Sequence, residues 1–209
     1  NGLWAGAFSP DDNRILVAHT DGAAGVWDVD KKERVLDLKG HTQMLRAAAF
    51  TPDGSKLVTG GGDGVRVWDA KNGTTLKTFA TDVGIVFSLA VDRTGTKLLT
   101  GSMDRTVRIW DMASGAPIAT LRGHSNWVRA VAFTADDSGV VSGGEREAAR
   151  LWRLPSHPTG IVGRGGWHQS TANSVGITAD GTRLVAGGHG EVGVWDTRTG
   201  APVPLRLPG

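Results

Sequence analysis

The sequence has no cysteine and no tyrosine among its 209 residues, and it has no long uninterrupted apolar run. Without cysteine, the chain can form no disulfide, no thiolate metal site and no cysteine nucleophile. A membrane-spanning helix needs about 18 or more consecutive apolar residues, so we expect no insertion into a membrane. No signal peptide is visible in a chain that begins at Asn1, already inside a repeat, and this favours a cytoplasmic protein.

An excess of charge of one sign is also missing. The 23 Lys and Arg residues nearly balance 21 Asp and Glu, which leaves a formal net charge of +2 at pH 7. The basic residues are spread through the chain instead of forming one patch, so we expect no nucleic-acid partner. Hydrophobic residues make up 39% of the chain, which is ordinary for a folded domain and argues against disorder.

The dominant positive feature is an internal repeat marked by tryptophan. Five tryptophans recur at intervals of 41, 42, 42 and 43 residues: Trp27, Trp68, Trp110, Trp152 and Trp195. Each ends a short alternating segment such as V-R-V-W-D or V-R-I-W-D, and the fourth copy ends in W-R. A fixed period near 40 residues is typical of repeat architectures.

Each copy predicts four short strands separated by turns. Segments of four to six residues alternate with turn sequences such as T-P-D-G at 51–54 and T-A-D-G at 178–181. Pro, Asp and Gly favour turns for separate physical reasons, and this spacing of strands and turns predicts an all-β fold. The copies span approximately residues 1–38, 39–80, 81–122, 123–166 and 167–209 of one domain, 1–209.

Two Gly-His pairs add a family likeness. Gly40-His41 and Gly123-His124 are each followed, 27 or 28 residues after the histidine, by Trp68 or Trp152. Together with the tryptophan endings, these motifs resemble the WD-repeat (WD40) β-propeller family over essentially the whole chain. The resemblance implies a β-propeller of four-stranded antiparallel blades. A closed five-blade ring, part of a larger ring, and a fragment that closes by association all stay open.

The resemblance also implies a structural hydrogen-bonded group of His, Ser or Thr, Asp and Trp inside each blade. Blade two carries the full set, and blades one, three, four and five are incomplete. In blade four we expect no acidic member, because Arg146 stands at the turn position. Each gap should lower local stability by about 1 kcal/mol. The members are His41, Thr59, Asp63 and Trp68 in blade two, Thr100, Asp104 and Trp110 in blade three, His124, Ser142 and Trp152 in blade four, and His168 and Trp195 in blade five.

The sequence offers no motif for catalysis or metal binding. It has neither an H-x-H nor an H-E-x-x-H pattern, and its serines lack a nucleophile elbow. The run G-G-G-D-G at 60–64 lacks the lysine and following helix of a phosphate-binding loop. We therefore predict no enzyme activity, no metal site and no cofactor.

Residues that the repeat does not require indicate a binding face. In the family, the loops that lead into first strands line the top rim, where partners dock. Strand alternation assigns Leu3, Leu45, Val86 and Val128 to the core and leaves their neighbours pointing elsewhere. Those neighbours are rich in aromatic and Arg side chains, as interface hot spots are. The predicted partner-binding residues are Trp4, Met44, Arg46, Phe87, Trp127 and Arg129.

The leading hypothesis is a non-catalytic interaction scaffold that binds a protein or peptide on its top face. If the partner is acidic, Arg46 and Arg129 would pair with its carboxylates or phosphates. An alternative interpretation of the rim packs Trp4 and Phe87 between blades. Alternative functions are a carbohydrate-binding or small-ligand-binding propeller with sites between blades, and the sensor or docking part of a larger multidomain protein. The partners could then include further blades or domains of a longer chain.

Overall fold

The computed structural model describes residues 2–79, 84–147, 149–154, 171–188 and 191–205. Every regular element in these residues is a β-strand, and no helix occurs among them. Eighteen strands form separate antiparallel sheets, and within each sheet the strands are neighbours in the order in which they follow along the chain. The predicted all-β class is confirmed.

The first and second sheets, blades one and two, have four strands each. Blade one contains β1 Leu3–Phe8, β2 Arg14–His19, β3 Ala24–Asp28 and β4 Glu33–Leu38. Blade two contains β5 Leu45–Phe50, β6 Lys56–Gly61, β7 Gly64–Asp69 and β8 Thr75–Phe79.

The remaining sheets continue the pattern. Blade three contains β9 Val86–Val91, β10 Lys97–Ser102, β11 Thr106–Asp111 and β12 Pro117–Arg122. Blade four contains β13 Val128–Phe133, β14 Gly139–Gly144 and β15 Arg150–Arg153. Blade five contains β16 Ser174–Ile177, β17 Arg183–Gly188 and β18 Glu191–Asp196, and a single bridge joins Trp195 to Pro202.

The turn between the first and second strands of a blade is closed by its own side chains. In blade two, the Thr51 hydroxyl donates to Asp53 at 2.6 Å, and the backbone N–H of Ser55 donates to the same carboxylate at 3.0 Å. These two bonds and a third from the Ser55 hydroxyl lower the pKa of Asp53 to about 2. Gly54 has a φ of 67°, a conformation that glycine adopts without strain. The turn sequence T-P-D-G therefore fixes the first hairpin of the blade.

The core lies between neighbouring blades. In the first interface, Leu16 and Val26 of blade one pack with Leu45, Phe50 and Trp68 of blade two. Equivalent clusters join blades two and three, three and four, and four and five. Blades two, three and four thus bury one face against the blade before and the other against the blade after.

Blade one leaves one of its faces uncovered. Leu3 is 64% exposed, whereas Leu45, the equivalent residue of blade two, is 0% exposed. Trp27 is 40% exposed, whereas Trp68 is fully buried. The prediction that Leu3 belongs to the core was wrong, because no described sheet packs on that side of blade one.

Blade five leaves uncovered the face that, in the other blades, packs against the following blade. Val192 is 57% exposed, whereas Val107, at the same distance before the blade tryptophan, is fully buried against blade four. The uncovered faces at the two ends are therefore the two halves of an ordinary blade-to-blade interface.

We expect the 209-residue chain to associate in solution through these faces. Phe8, on the uncovered face of blade one, is 60% exposed, and the equivalent Phe50 is 8% exposed. Replacing Phe8 with Lys should shift the light-scattering mass toward the monomer, because a charge at the centre of the contact opposes its burial. Ile118→Lys is the matched control, since Ile118 is 53% exposed on the outer strand of blade three. Equal association of wild type and Phe8→Lys would contradict the expectation.

Candidate protein-binding site

A series of hydrogen bonds links four side chains within blade two. His41 Nδ1 lies 2.5 Å from Asp63, and His41 Nε2 lies 2.8 Å from the Thr59 hydroxyl. Trp68 Nε1 donates to the same hydroxyl oxygen at 2.8 Å. Burial lowers the pKa of His41 and outweighs the opposing effect of Asp63. A neutral His41 with its proton on Nδ1 satisfies every bond, since it donates to Asp63 and accepts from Thr59.

Blade four contains the same series of hydrogen bonds, with a glutamate as the acidic residue. The two ring nitrogens of His124 contact the Glu147 carboxylate and the Ser142 hydroxyl, the latter at 2.7 Å. Trp152 Nε1 donates to Ser142 at 2.8 Å. The expectation that this blade lacks an acidic member was wrong. Glu147 lies five residues before Trp152, the same separation that Asp63 has from Trp68. It therefore contacts the blade histidine as Asp63 does, a role that the basic side chain of Arg146 could not fill.

Blade three holds a shorter version of these hydrogen bonds. In blade three, Trp110 donates to Thr100 at 2.9 Å, while Asp104 accepts from Thr106 and Arg108 at 2.7 and 2.6 Å. In blade five, Trp195 is buried with Ala186 in the core shared with blade four. The predicted member His168 lies outside the described residues.

The first strands of blades one to four each carry an irregularity at their second residue. Pairing with the neighbouring strand skips Trp4, Arg46, Phe87 and Arg129, the second residues of β1, β5, β9 and β13. A β-bulge bends the strand and redirects the side chain of the unpaired residue. In blades two to four the first residue of the strand is buried between blades, as Leu45, Val86 and Val128 are. The bulged residue beside it lies outside that core.

The bulged residues line one pocket. Its volume is about 720 Å³, and every blade contributes to its wall. Of the six predicted partner-binding residues, four line the pocket and Met44 and Trp127 flank it. The lining residues are Trp4, Arg46, Phe87, Ser88, Arg129, Glu145, Thr171 and Asn173.

One side of the pocket is an aromatic and ionic cluster. The Phe87 and Trp127 rings stack with their centroids 5.7 Å apart. The Arg129 guanidinium lies 4.2 Å from the Phe87 centroid and 4.9 Å from the Trp127 centroid. Arg129 also donates to Glu145 from Nε at 2.9 Å and from Nη2 at 2.5 Å. These contacts hold the planar guanidinium in one orientation and neutralise its charge.

The opposite side is built around a second arginine. The Arg46 guanidinium lies 3.8 Å from the centroid of the Trp4 ring, and Trp4 is 53% exposed. Arg46 Nη2 contacts the sulfur of Met44 at 3.3 Å, a weak acceptor. Trp4 and Phe87 each pack against a side chain of the following blade, Arg46 and Trp127 respectively, as the alternative interpretation expects, and both also line the pocket.

Sequence reasoning missed Ser88 and Glu145. The Ser88 hydroxyl accepts the backbone N–H of Val131 at 3.2 Å and so links blades three and four. Glu145 follows β14 in the turn toward β15. The sequence contained a signal for the acidic residue, the run E-R-E at 145–147. Glu145 of this run lines the pocket, and Glu147 takes part in the hydrogen bonds of blade four.

Stacked antiparallel sheets of three or four described strands, whose first strands line a common pocket, are characteristic of a β-propeller architecture. Residues 32–69, 73–111 and 115–153 match the family model described as WD domain, G-beta repeat. These segments cover more than half of the chain. The chain therefore belongs to the WD40 repeat family.

Three relatives match this chain over part of their own length. Protein groucho of Drosophila melanogaster is 37% identical over 101 residues, which cover 47% of this chain and 13% of groucho. Apoptotic protease-activating factor 1 of Mus musculus is 34% identical over 65 residues, covering 31% of this chain and 5% of that protein. Uncharacterized WD repeat-containing protein sll1491 of Synechocystis is 31% identical over 99 residues, covering 46% of this chain and 28% of that protein.

Other kinds of site are not found in the described part of the chain. None of its elements is a helix long and apolar enough to cross a membrane. Within the same residues, no three His, Asp or Glu side chains are grouped as a metal site requires.

Glu147→Gln should destabilise the fold at neutral pH. Burial raises the pKa of Glu147, but hydrogen bonds from His124 and Ser125 outweigh it and lower the pKa from 4.5 to about 2. We expect a loss of about 1.5–3 kcal/mol of unfolding free energy at pH 7, the value of hydrogen bonds to a charged group. A carboxylate with a lowered pKa stabilises the fold above its unfolded pKa and stops doing so as pH falls through its folded pKa.

The difference between wild type and Glu147→Gln should therefore shrink as pH falls from 4.5 to about 2. Urea unfolding at a series of pH values measures it, and the other acidic groups cancel because both proteins contain them. Arg146→Gln is the control, since Arg146 is exposed and should change stability by less than about 0.5 kcal/mol. A difference that stays constant over this pH range would contradict the role assigned to Glu147.

Proposed function

We propose that this chain is a non-catalytic interaction scaffold that binds a peptide segment of a partner protein in the pocket formed by the bulged residues. The observation that carries the proposal is the convergence of Trp4, Arg46, Phe87 and Arg129 on one cavity. Four blades each supply one of these side chains from the same strand position. None of the four is needed by the core of its own blade.

The chemistry of the pocket fits a protein ligand. Aromatic and Arg side chains dominate binding energy at protein interfaces, because they combine large apolar area with directional polar contacts. Trp4 is 53% exposed and Met44 is 36% exposed, so apolar area is available to a ligand. The Arg129 cluster is already ordered by Glu145 and the stacked rings, so binding need not restrict it further.

The proposal that the chain has no catalytic activity rests on the same residues. The titratable groups in the pocket lining are Arg46, Arg129 and Glu145. Glu145 is held by Arg129, and an arginine is not a proton donor or acceptor near neutral pH. The lining Ser88 accepts a backbone N–H and has no described histidine partner that could activate it.

A second candidate function is the docking part of a larger protein. It is favoured by the uncovered faces of blades one and five, which match the two halves of a blade interface. It is also consistent with the matched relatives, of which this chain spans less than a third. In a longer polypeptide whose further blades cover both faces, light scattering should report a monomer under conditions where residues 1–209 associate. Association of that longer protein through the Phe8 face would contradict this second candidate.

Carbohydrate binding between blades has less support. A cavity of about 390 Å³ between blades four and five is lined by Thr134, Asp136, Arg153 and Asp180, among others, and no aromatic ring of the described residues lines it. A repeated sugar site would need the same polar and aromatic set in each blade. An absence of hits on a glycan array would remove this alternative.

Peptides that bind the pocket should lose affinity when Trp127 and Arg129 are replaced by Ala. The double substitution removes the ring that stacks on Phe87 and the guanidinium that covers it, so we expect a loss of at least about tenfold. The measurement selects peptides on the wild-type protein from a phage-displayed random library and compares their dissociation constants. Thermal melts of both proteins should be nearly the same.

Ile118→Ala is the control, because this residue is exposed on the outer strand of blade three. It should leave peptide affinity unchanged. The proposal fails if the selected peptides bind the double variant as tightly as the wild type while the variant remains folded.

A further inference from the structure

The two arginines of the pocket differ in how their charges are compensated. Arg129 makes a two-nitrogen ion pair with Glu145. Arg46 makes no ion pair with a carboxylate among the described residues, and its contacts are the Trp4 ring and the Met44 sulfur. The pocket therefore contains one neutralised and one uncompensated guanidinium.

Burial makes the uncompensated charge more significant. Arg46 Nε is shielded from solvent and has no hydrogen-bond partner among the described residues. Arg66 and Arg150 also have a buried Nε, but each has a carboxylate nearby, from Asp63 at 4.0 Å and from Glu147 at 3.5 Å. Arg46 thus lacks the kind of partner that the other two half-buried arginines have.

The surroundings of Arg46 favour an incoming anion. Burial lowers the pKa of Arg46, and the positive charge of Arg129 lowers it further. A guanidinium stays protonated under these conditions, so its positive charge is destabilised where it lies. An anion entering the pocket would relieve both effects and would gain charge-assisted hydrogen bonds to a rigid, planar donor group.

We propose that Arg46 binds the carboxylate of an Asp or Glu side chain in the partner segment, and that Trp4 covers the adjoining apolar part of that segment. This rests on the proposed function, since it names the chemistry of the ligand for the same pocket. Trp4 stacks on Arg46 and remains 53% exposed, so a ligand can contact the ring and the guanidinium together. Arg129 has a different role and shapes the pocket wall through Glu145.

The test is a double-mutant cycle on peptides selected with the wild-type protein from the random library. Those whose binding depends on Trp127 and Arg129 should share an Asp or Glu. Replacing that residue with Asn or Gln should weaken binding to the wild type by at least about tenfold. The same replacement should change binding to Arg46→Gln by less than about twofold, because the partner charge is already absent.

Two protein variants serve as controls for this cycle. Arg129→Gln should retain most of the preference for the acidic peptide, since Arg129 is already paired with Glu145. Arg46→Lys should recover part of the preference, because it restores the charge without the planar fork. Thermal melts of Arg46→Gln and Arg46→Lys check that both variants remain folded.

The outcomes separate this inference from the proposed function. If peptides bind in a Trp127-dependent and Arg129-dependent way but show no coupling between an acidic residue and Arg46, the inference is overturned and the proposed function stands. If no peptide depends on the pocket, both fail. If a phosphoserine in place of the acid binds more than about tenfold tighter than Asp or Glu, the preferred anion is a phosphate and the carboxylate assignment is overturned.

Discussion

The burial of apolar side chains between neighbouring blades is the constraint on which the rest of the structure depends. A four-stranded sheet of this kind cannot cover both of its faces alone, so each blade is completed by the blade beside it. Leu45 and Trp68 are fully buried because blade one packs on them. Leu3 and Trp27 occupy the same positions in blade one and are exposed. Burial therefore depends on the neighbouring blade and not on the residue type.

The same stacking creates the binding pocket. First strands pack side by side through their core residues, which brings their bulged residues to a common centre. The bulge gives adjacent residues of one strand different roles, since Val128 is buried in the core while Arg129 lines the pocket. The binding residues can then be chosen for a ligand with little effect on blade packing. The hydrogen-bond chains inside blades two and four reinforce this frame without lining the pocket.

Much of the fold could be predicted from the sequence, because strand alternation and turn residues repeat with each tryptophan. The site was less accessible. The role of Glu147 was missed since the distance from the acid to the tryptophan differs by one residue between blades three and four. The exposure of Leu3 depends on a neighbouring sheet, which no local pattern records. The pairing of Glu145 with Arg129, which leaves Arg46 uncompensated, needs three-dimensional contacts. The predicted roles of the pocket residues in binding stay predictions.

Equilibrium unfolding of Leu45→Ala and Leu3→Ala in the 209-residue chain tests the central claim most directly. Both substitutions remove the same atoms from equivalent positions of adjacent blades. The account predicts that Leu45→Ala lowers the unfolding free energy by about 2–5 kcal/mol, as core truncation does, and that Leu3→Ala lowers it by less than about 1 kcal/mol. Equal losses for the two variants, in a protein kept monomeric by dilution, would contradict the claim that each blade draws its stability from its neighbour.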